Sequence, residues 1–295
     1  MIRVGPAGWT YPDWSGIVYP KPAPRGFDPL VYLSRYFDMI EINSTFYRPP
    51  SARVATSWAR RVRHNGKFRF TAKLWRRFTH EREQAWERAD VDAMRDGLDV
   101  LANARLLGAV LMQFPWSFRA TDENREWLYD LAQVFAEFPL VVEVRHATWN
   151  DPQFLGELQR QGVGFANIDQ PVFKDSIEPS AHVTSSVGYI RVHGRNYQNW
   201  FRATAESAER YDYLYTADEL QPWAARAREM AVEHPDADVY VVTNNHARGK
   251  GVVNAIMLRS MIGERTLPIA PGLWAEYETE LSRLSNGDEA QSGHL

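Results

Sequence analysis

The chain contains no cysteine. Disulfides, thiolate metal sites and thiol nucleophiles are therefore excluded. It also lacks a continuous apolar run of about 18 residues, the length a bilayer-crossing helix needs. Its start, Met1-Ile2-Arg3-Val4, carries no apolar signal run, so a cytoplasmic location without a membrane partner is the default expectation. Neither sign of charge dominates, with 34 Lys and Arg against 37 Asp and Glu. No global basic balance draws it to nucleic acid or an anionic membrane. Internal repeats, beyond a strand–helix rhythm, and low-complexity stretches are absent too.

The 295 residues, 44% hydrophobic and 24% charged, fit one domain of ordinary globular composition. Aromatic residues are abundant: 11 Trp, 13 Tyr and 14 Phe. Many fall in loops, among them Trp9, Tyr11, Trp14, Tyr47, Trp75, Trp116, Trp149, Tyr197 and Trp200. They either pack loops over a core or offer a stacking surface for sugar rings or bases.

Eight short β-branched or aromatic runs recur: Ile2–Val4, Met39–Asn43, Arg69–Lys73, Ala109–Phe114, Leu140–Arg145, Gly164–Asp169, Tyr189–Gly194 and Val239–Asn245. Helical patterns separate most of them. Asp28-Pro29, Pro50-Ser51, Thr121, Asp151-Pro152 and the Thr216/Glu219 capping box mark helix starts. Asp90 opens a run that Gly108 is expected to close, the Thr121 helix is expected to end near Phe138-Pro139, and Gly162 stops another. Strands alternating with helices predict a parallel sheet, and eight units predict one α/β domain, a (β/α)₈ TIM-type barrel over residues 1–284. Residues 285–295 read as a disordered tail. Two long loops, 10–27 and 194–215, follow strands and should lie over the carboxyl ends of the barrel strands, where such loops serve as lids or binding loops.

Side chains alternate between the faces of a strand. Val142 and Val144 therefore oppose Glu143 and Arg145. Ile190 and Val192 oppose Tyr189, Arg191 and His193. Ile40 and Ile42 oppose Glu41 and Asn43, and Phe70 and Ala72 oppose Thr71 and Lys73. By the same reading Gln113 and Asp169 oppose Met112 and Ile168. The apolar faces meet helices, so the polar faces point inward at the upper rim. Unpaired buried charge costs several kcal/mol or more, so these groups must pair with one another, with water or with a ligand. A closed structural pair such as Glu143–Arg191 is one outcome. A ligand site is the preferred one, because polar strand ends on this face usually serve function.

Several of these stretches occur together in order: Gly8-Trp9-Thr10-Tyr11-Pro12-Asp13-Trp14 with Tyr19-Pro20, Glu41-Ile42-Asn43-Ser44-Thr45-Phe46-Tyr47, Thr79-His80 and Gln113-Phe114-Pro115. Val142-Glu143-Val144-Arg145-His146 with Trp149, then Arg191-Val192-His193-Gly194-Arg195, and Asn244-Asn245 with Asn254-Ala255, complete the series. Over roughly residues 2–262 the chain resembles the YecE-like family (domain of unknown function 72). The resemblance implies a (β/α)₈ barrel and brings no established activity with it. Pro6-Ala7 stands where hydroxyl residues are usual before Gly-Trp, which argues against a catalytic hydroxyl there. His246 stands where an acidic residue is common, which argues against a metal role at that spot.

The preferred chemistry is general acid–base catalysis on a small anionic substrate, phosphorylated or carboxylated and sugar-like, by a hydrolase, lyase or isomerase. Glu143, His193 and Glu41 are the candidate catalytic groups. Lys73, Arg145, Arg191, Arg195, Asn43, Gln113, Asp169, Trp9, Tyr11, Trp14 and Asn245 are the candidate substrate-binding residues. Lys73 also has the position of a Schiff-base nucleophile, although adjacent carboxylates should favour its charged form. No cofactor is expected. A divalent metal on Glu41, Glu143, Asp169 and His193 is an alternative, opposed by the nearby cations. Trp58-Ala59-Arg60-Arg61-Val62-Arg63-His64 and Lys73-Leu74-Trp75-Arg76-Arg77 mix cations with aromatics, so a metal-assisted phosphodiesterase or other nucleic-acid-processing protein is the competing reading. A non-catalytic ligand-binding module is a third, and oligomeric state is left open.

Overall fold

The computed structural model describes residues 1–200, 202, 207–264 and 267–285. Eight parallel strands run in chain order: β1 (Ile2–Pro6), β2 (Met39–Ile42), β3 (Arg69–Lys73), β4 (Leu107–Gln113), β5 (Leu140–Glu143), β6 (Gly164–Asp169), β7 (Val187–Val192) and β8 (Asp238–Thr243). Each pairs with its sequence neighbour, and β8 returns to β1. Between β1 and β2 the pairing narrows to one bridge, Ala7 to Glu41, with the Gly8 amide donating to the Glu41 carbonyl at 2.8 Å. The barrel is thus nearly closed. Gly5 permits that approach, since a Cβ there would fall 2.0 Å from the Met39 carbonyl oxygen.

The helices are α1 (Pro29–Leu33), α2 (Ala52–Val62), α3 (Arg76–Thr79), α4 (Arg88–Asn103), α5 (Asp122–Val134), α6 (Pro152–Gln161), α7 (Ser207–Arg210), α8 (Ala217–Glu233), α9 (Lys250–Met261), α10 (Pro271–Glu276) and α11 (Glu278–Ser285). Their starts follow local chemistry. Asp28, Ser51, Thr121, Asp151 and Thr216 each accept a backbone N–H of the first turn, and Thr216 and Glu219 complete a reciprocal capping box. The sequence had not marked α10 and α11, whose Leu273, Tyr277 and Leu281 join the core. From residue 286 onward, the segment read as a tail lies outside the described residues. None of the helices among the described residues is long and apolar enough to cross a membrane.

Two expected helix ends move. α5 stops at Val134 rather than near Phe138-Pro139, because Phe135 and Phe138 turn into the core. α4 stops at Asn103, and Gly108 lies inside β4 instead of closing the helix. Tyr240 of β8 reaches toward β4, and its hydroxyl oxygen lies 2.4 Å from where a Gly108 Cβ would stand. The missing side chain makes room for the buried tyrosine. Gly108→Ala is expected to overpack this contact and lower stability by about 1–3 kcal/mol, read from urea unfolding. An unchanged midpoint would show that Tyr240 has room to retreat.

Candidate functional site

Strand register decides which side chains enter the barrel. Directly paired residues of neighbouring parallel strands share a face. Glu41 pairs with Thr71, Gln113 with Glu143, and Tyr189 and Arg191 with Tyr240 and Val242. These residues face inward. Arg191 pairs with Ile168, and Val192 with Asp169. Ile168 therefore faces the interior, and Asp169 faces outward, contrary to the expectation from its neighbours' polarity.

Arg191 is the hub of the interior, with no exposed surface. One terminal nitrogen donates to Glu41 Oε1 at 2.7 Å and the other to Glu143 Oε2 at 2.6 Å. Glu41 is held further by the Tyr189 hydroxyl at 3.0 Å, itself 3.0 Å from Thr71 Oγ1. Glu143 Oε1 accepts from Arg145 Nε and Nη2 at 2.9 and 2.7 Å and from His193 Nε2 at 3.1 Å. Asn244 Nδ2 lies 3.2 Å from His193 Nδ1. With the amide nitrogen so placed, the neutral ring carries its proton on Nε2 and donates it to Glu143.

Glu41, Glu143, Arg191 and His193 are sealed from solvent. They form a floor, and the sequence-derived roles of Glu143, His193 and Glu41 as groups touching substrate do not fit that placement. Although burial opposes its charge, the neighbouring Arg191, His193 and Arg145 hold the Glu143 carboxyl well below the usual range. Burial pushes His193 down to about 3, against the pull of Glu143. Neither is tuned for proton transfer near neutrality. Nor do Glu41, Glu143, Asp169 and His193 gather around one point. Among the described residues, no group of three His, Asp or Glu side chains is arranged to hold a metal ion.

Above the floor opens a cavity of about 1160 Å³. Of the expected residues, Trp9, Tyr11, Asn43, Lys73, Gln113 and Arg145 line it. Both long loops contribute walls, through Tyr11 on one side and Trp200 and Tyr211 on the other. Five expected binding residues lie elsewhere, Asp169 among them. Trp14 is buried behind the wall, its indole N–H donating to the His246 carbonyl at 2.6 Å. Arg191 belongs to the floor. Arg195 is turned outward and held by Asp169 through two bonds of 3.0 Å, with Glu219 at 3.5 Å. Asp169 also accepts the Tyr215 hydroxyl, so the pair anchors the loop after β7. Asn245 donates to the His193 and Tyr211 carbonyls and stays outside the cavity, whereas Asn244 reaches it.

Other lining residues were not among the expected site residues: Phe46, Arg48, Trp58, Arg76, His80, Trp116, Arg210 and His246. Extending inward parity from Tyr240 and Val242 would have found Asn244; the others sit on loops and helices, where no such rule operates. Of the cation-rich segments, Arg61 is bound to Asp28, and Arg77 to backbone carbonyls of Glu81, Gln84 and Ala85.

The lining has one sign of charge. Arg48, Lys73, Arg76, Arg145 and Arg210 reach it, and among the described residues that line it there is no Asp or Glu. Arg76 is paired with Glu81. Arg145, which lines the cavity, spends Nε and Nη2 on Glu143, holds its guanidinium 5.7 Å from the Trp200 ring, and has no hydrogen bond from Nη1 among the described residues. The Lys73 ammonium has neither a hydrogen bond nor an ion pair among the described residues; it stands 5.5 Å from the Phe46 ring centre. Burial and Arg191 push it down to about 8, outweighing the pull of Glu41 and Glu143. Those carboxylates are already committed to arginines, which is why the expected protection of the charged amine fails. His80, bonded through Nδ1 to Thr79 Oγ1 at 2.9 Å, is pushed down to about 4 by burial, with Arg145 and Lys73 adding to it.

Comparison with known proteins gives the same frame. Residues 3–275 match a family model described as "Protein of unknown function DUF72". The chain is 26% identical over 284 residues to the UPF0759 protein YunF of Bacillus subtilis, covering 92% of this chain and 98% of that one. Against the UPF0759 protein YecE of Escherichia coli K12 it is 28% identical over 158 residues, 53% of this chain and 51% of the other. A solved DUF72 family protein from Thermotoga maritima superposes with a TM-score of 0.77 at 30% identity, over 90% of this chain and all of that one. Another from Enterococcus faecalis gives 0.76 at 21%, over 92% and 98%.

The buried histidine makes a pH prediction. The folded value of His193, about 3, lies below its ordinary 6.5, so the unfolded chain takes up the proton first. Its contribution to stability is complete above pH 6.5 and is lost as pH falls toward 3. Glu143, depressed below 4.5, adds a further loss under that value. His193→Asn should flatten the decline between pH 6.5 and 4.5 by up to about 1.4 kcal/mol per pH unit, read from unfolding at each pH. Parallel wild-type and variant curves would contradict a neutral buried His193.

Proposed function

The chain belongs to the DUF72 family, and we propose that its barrel mouth binds a small anionic, sugar-like substrate and carries general acid–base chemistry on it. One observation carries this reading: a large aromatic-walled cavity lined by cations, with no lining carboxylate among the described residues. Inside the barrel Glu41 and Glu143 balance Arg191 and Arg145, and Lys73 is the positive charge left over. A ligand carboxylate or phosphate would supply the missing negative charge, with Arg145 Nη1 and Lys73 as its donors. Trp9, Trp58, Trp116 and Trp200 suit the apolar faces of a sugar ring, and Asn43, Gln113 and Asn244 suit its hydroxyls.

In this reading the proton-transfer group is Lys73, whose lowered value places both of its forms within reach of neutral pH. Glu143 and His193 are positioning residues: Glu143 fixes Arg145, and His193 and Arg191 fix Glu143. The nucleic-acid reading is weaker, because Arg61, Arg76 and Arg77 of the segments that suggested it are bound by the protein itself.

Calorimetric titration with glucose 6-phosphate, gluconate, inorganic phosphate and glucose tests the anion seat. Phosphorylated or carboxylated ligands are expected to bind in preference to glucose. Arg145→Met and Lys73→Met should each weaken that binding by about tenfold or more, the effect of one charge-assisted hydrogen bond. Equal binding of glucose, or anion binding untouched by both substitutions, would overturn the reading.

A further inference from the structure

We infer that Lys73 is a carbonyl-reactive amine, which condenses with the aldehyde or ketone group of an anionic substrate to form an imine. The inference deepens the proposed function and rests on its anion seat. It starts from composition. The chain holds 34 Lys and Arg but five lysines, Lys21, Lys67, Lys73, Lys174 and Lys250. Where a cation serves only as a charge, this protein uses arginine almost everywhere, including the other four cations of the mouth. An arginine cannot lose its proton in a protein; a lysine can. The one interior position given to lysine is the one where deprotonation changes what the side chain can do.

The surroundings suit a nucleophile. Lys73 ends β3 at the base of an open cavity of about 1160 Å³. Its nitrogen has no hydrogen bond or ion pair among the described residues, and the aromatic ring of Phe46 stands beside it. Glu41 and Glu143, the carboxylates that would keep it charged, are bound to Arg191 and Arg145. With its value near 8, about a tenth of the molecules carry the neutral amine at pH 7. Arg145 offers its open nitrogen to the anionic end of the same substrate. Asn43 Oδ1, a buried acceptor lining the cavity, has no partner among the described residues; it can accept from a substrate hydroxyl.

The step balances without a further reagent. The neutral amine nitrogen adds to the carbonyl carbon, and the carbon–oxygen π pair moves to oxygen. The nitrogen, now positively charged, gives one of its own two protons to that oxygen, and a neutral carbinolamine results. The nitrogen lone pair then expels the hydroxyl group, which takes one proton from solvent and leaves as water. The product is an imine of Lys73, protonated near neutral pH, and one water per carbonyl consumed.

The test uses the full chain incubated with pyruvate, glyceraldehyde 3-phosphate or neutral acetone, each followed by sodium cyanoborohydride and peptide mapping. Reduction fixes an imine as a stable secondary amine at the lysine that formed it. The expected result is labelling of Lys73 at least about tenfold above any other lysine, favouring the two anionic carbonyls over acetone and rising with a midpoint near pH 8. Stronger labelling by pyruvate assigns a carboxylate to the substrate, and stronger labelling by glyceraldehyde 3-phosphate assigns a phosphate. Lys73→Arg should abolish the adduct while retaining calorimetric binding of inorganic phosphate, which shows that the variant folds. Equal labelling of all five lysines, or none at Lys73 while phosphate still binds through Arg145, overturns the imine and leaves the anion seat standing. Lys73 labelling equally strong with acetone keeps the imine and removes the anion seat.

Discussion

A single arginine bridges two carboxylates at the centre of the barrel, and the site above depends on that arrangement. Arg191 has no exposed surface and holds Glu41 with one nitrogen and Glu143 with the other. Taking three charges out of water is expensive, and further hydrogen bonds to the carboxylates must offset that cost. Here Tyr189 closes the Glu41 side, while Arg145 and His193 close the Glu143 side. The core of an ordinary barrel would place branched apolar side chains at this level. This chain spends the space on a polar platform.

The platform has a consequence for the mouth. By consuming Glu41 and Glu143 it removes the counter-charges that would otherwise neutralise Lys73, and it fixes Arg145 at the cavity wall with no hydrogen bond from Nη1 among the described residues. A cation-lined, aromatic-walled chamber follows from a balanced network beneath it. The loops after β1 and β7 supply much of the wall, and the Asp169–Arg195–Tyr215 cluster ties the second of them to the outer side of the barrel. The scaffold and the site are thus joined by the same strand ends.

Much of this was legible in the sequence because strands have a period of two. Alternation along β2, β3, β5 and β7 identified Glu41, Lys73, Glu143, Arg145, Arg191 and His193 as interior side chains, and eight strand–helix units gave the barrel. Depth was not legible: parity says which face a residue takes, not whether a neighbour seals it. Glu143 and His193 therefore read as groups touching substrate, although Arg145 and Asn244 lie between them and the cavity. Parity also misled for Asp169, where Ile168 rather than the aspartate continues the inward face; only the pairing of Ile168 with Arg191 decides that. Asn245 stood in for Asn244, because the inward phase of β8 is set by the pairing of Tyr189 with Tyr240 and of Arg191 with Val242. His80, His246 and Tyr211 come from loops, whose paths the sequence pattern does not encode.

The account turns on Lys73 being an uncompensated amine inside an anion-binding mouth, and the chain is well suited to a direct measurement. With five lysines, ¹³C labelling of lysine gives five Cε signals whose chemical shifts report each ammonium's titration by NMR. One, identified by its loss in Lys73→Arg, is predicted to titrate near 8. Adding inorganic phosphate should raise that one midpoint, since a bound anion favours the charged amine. A Lys73 midpoint near 10.5, or one that ignores phosphate, would contradict the account.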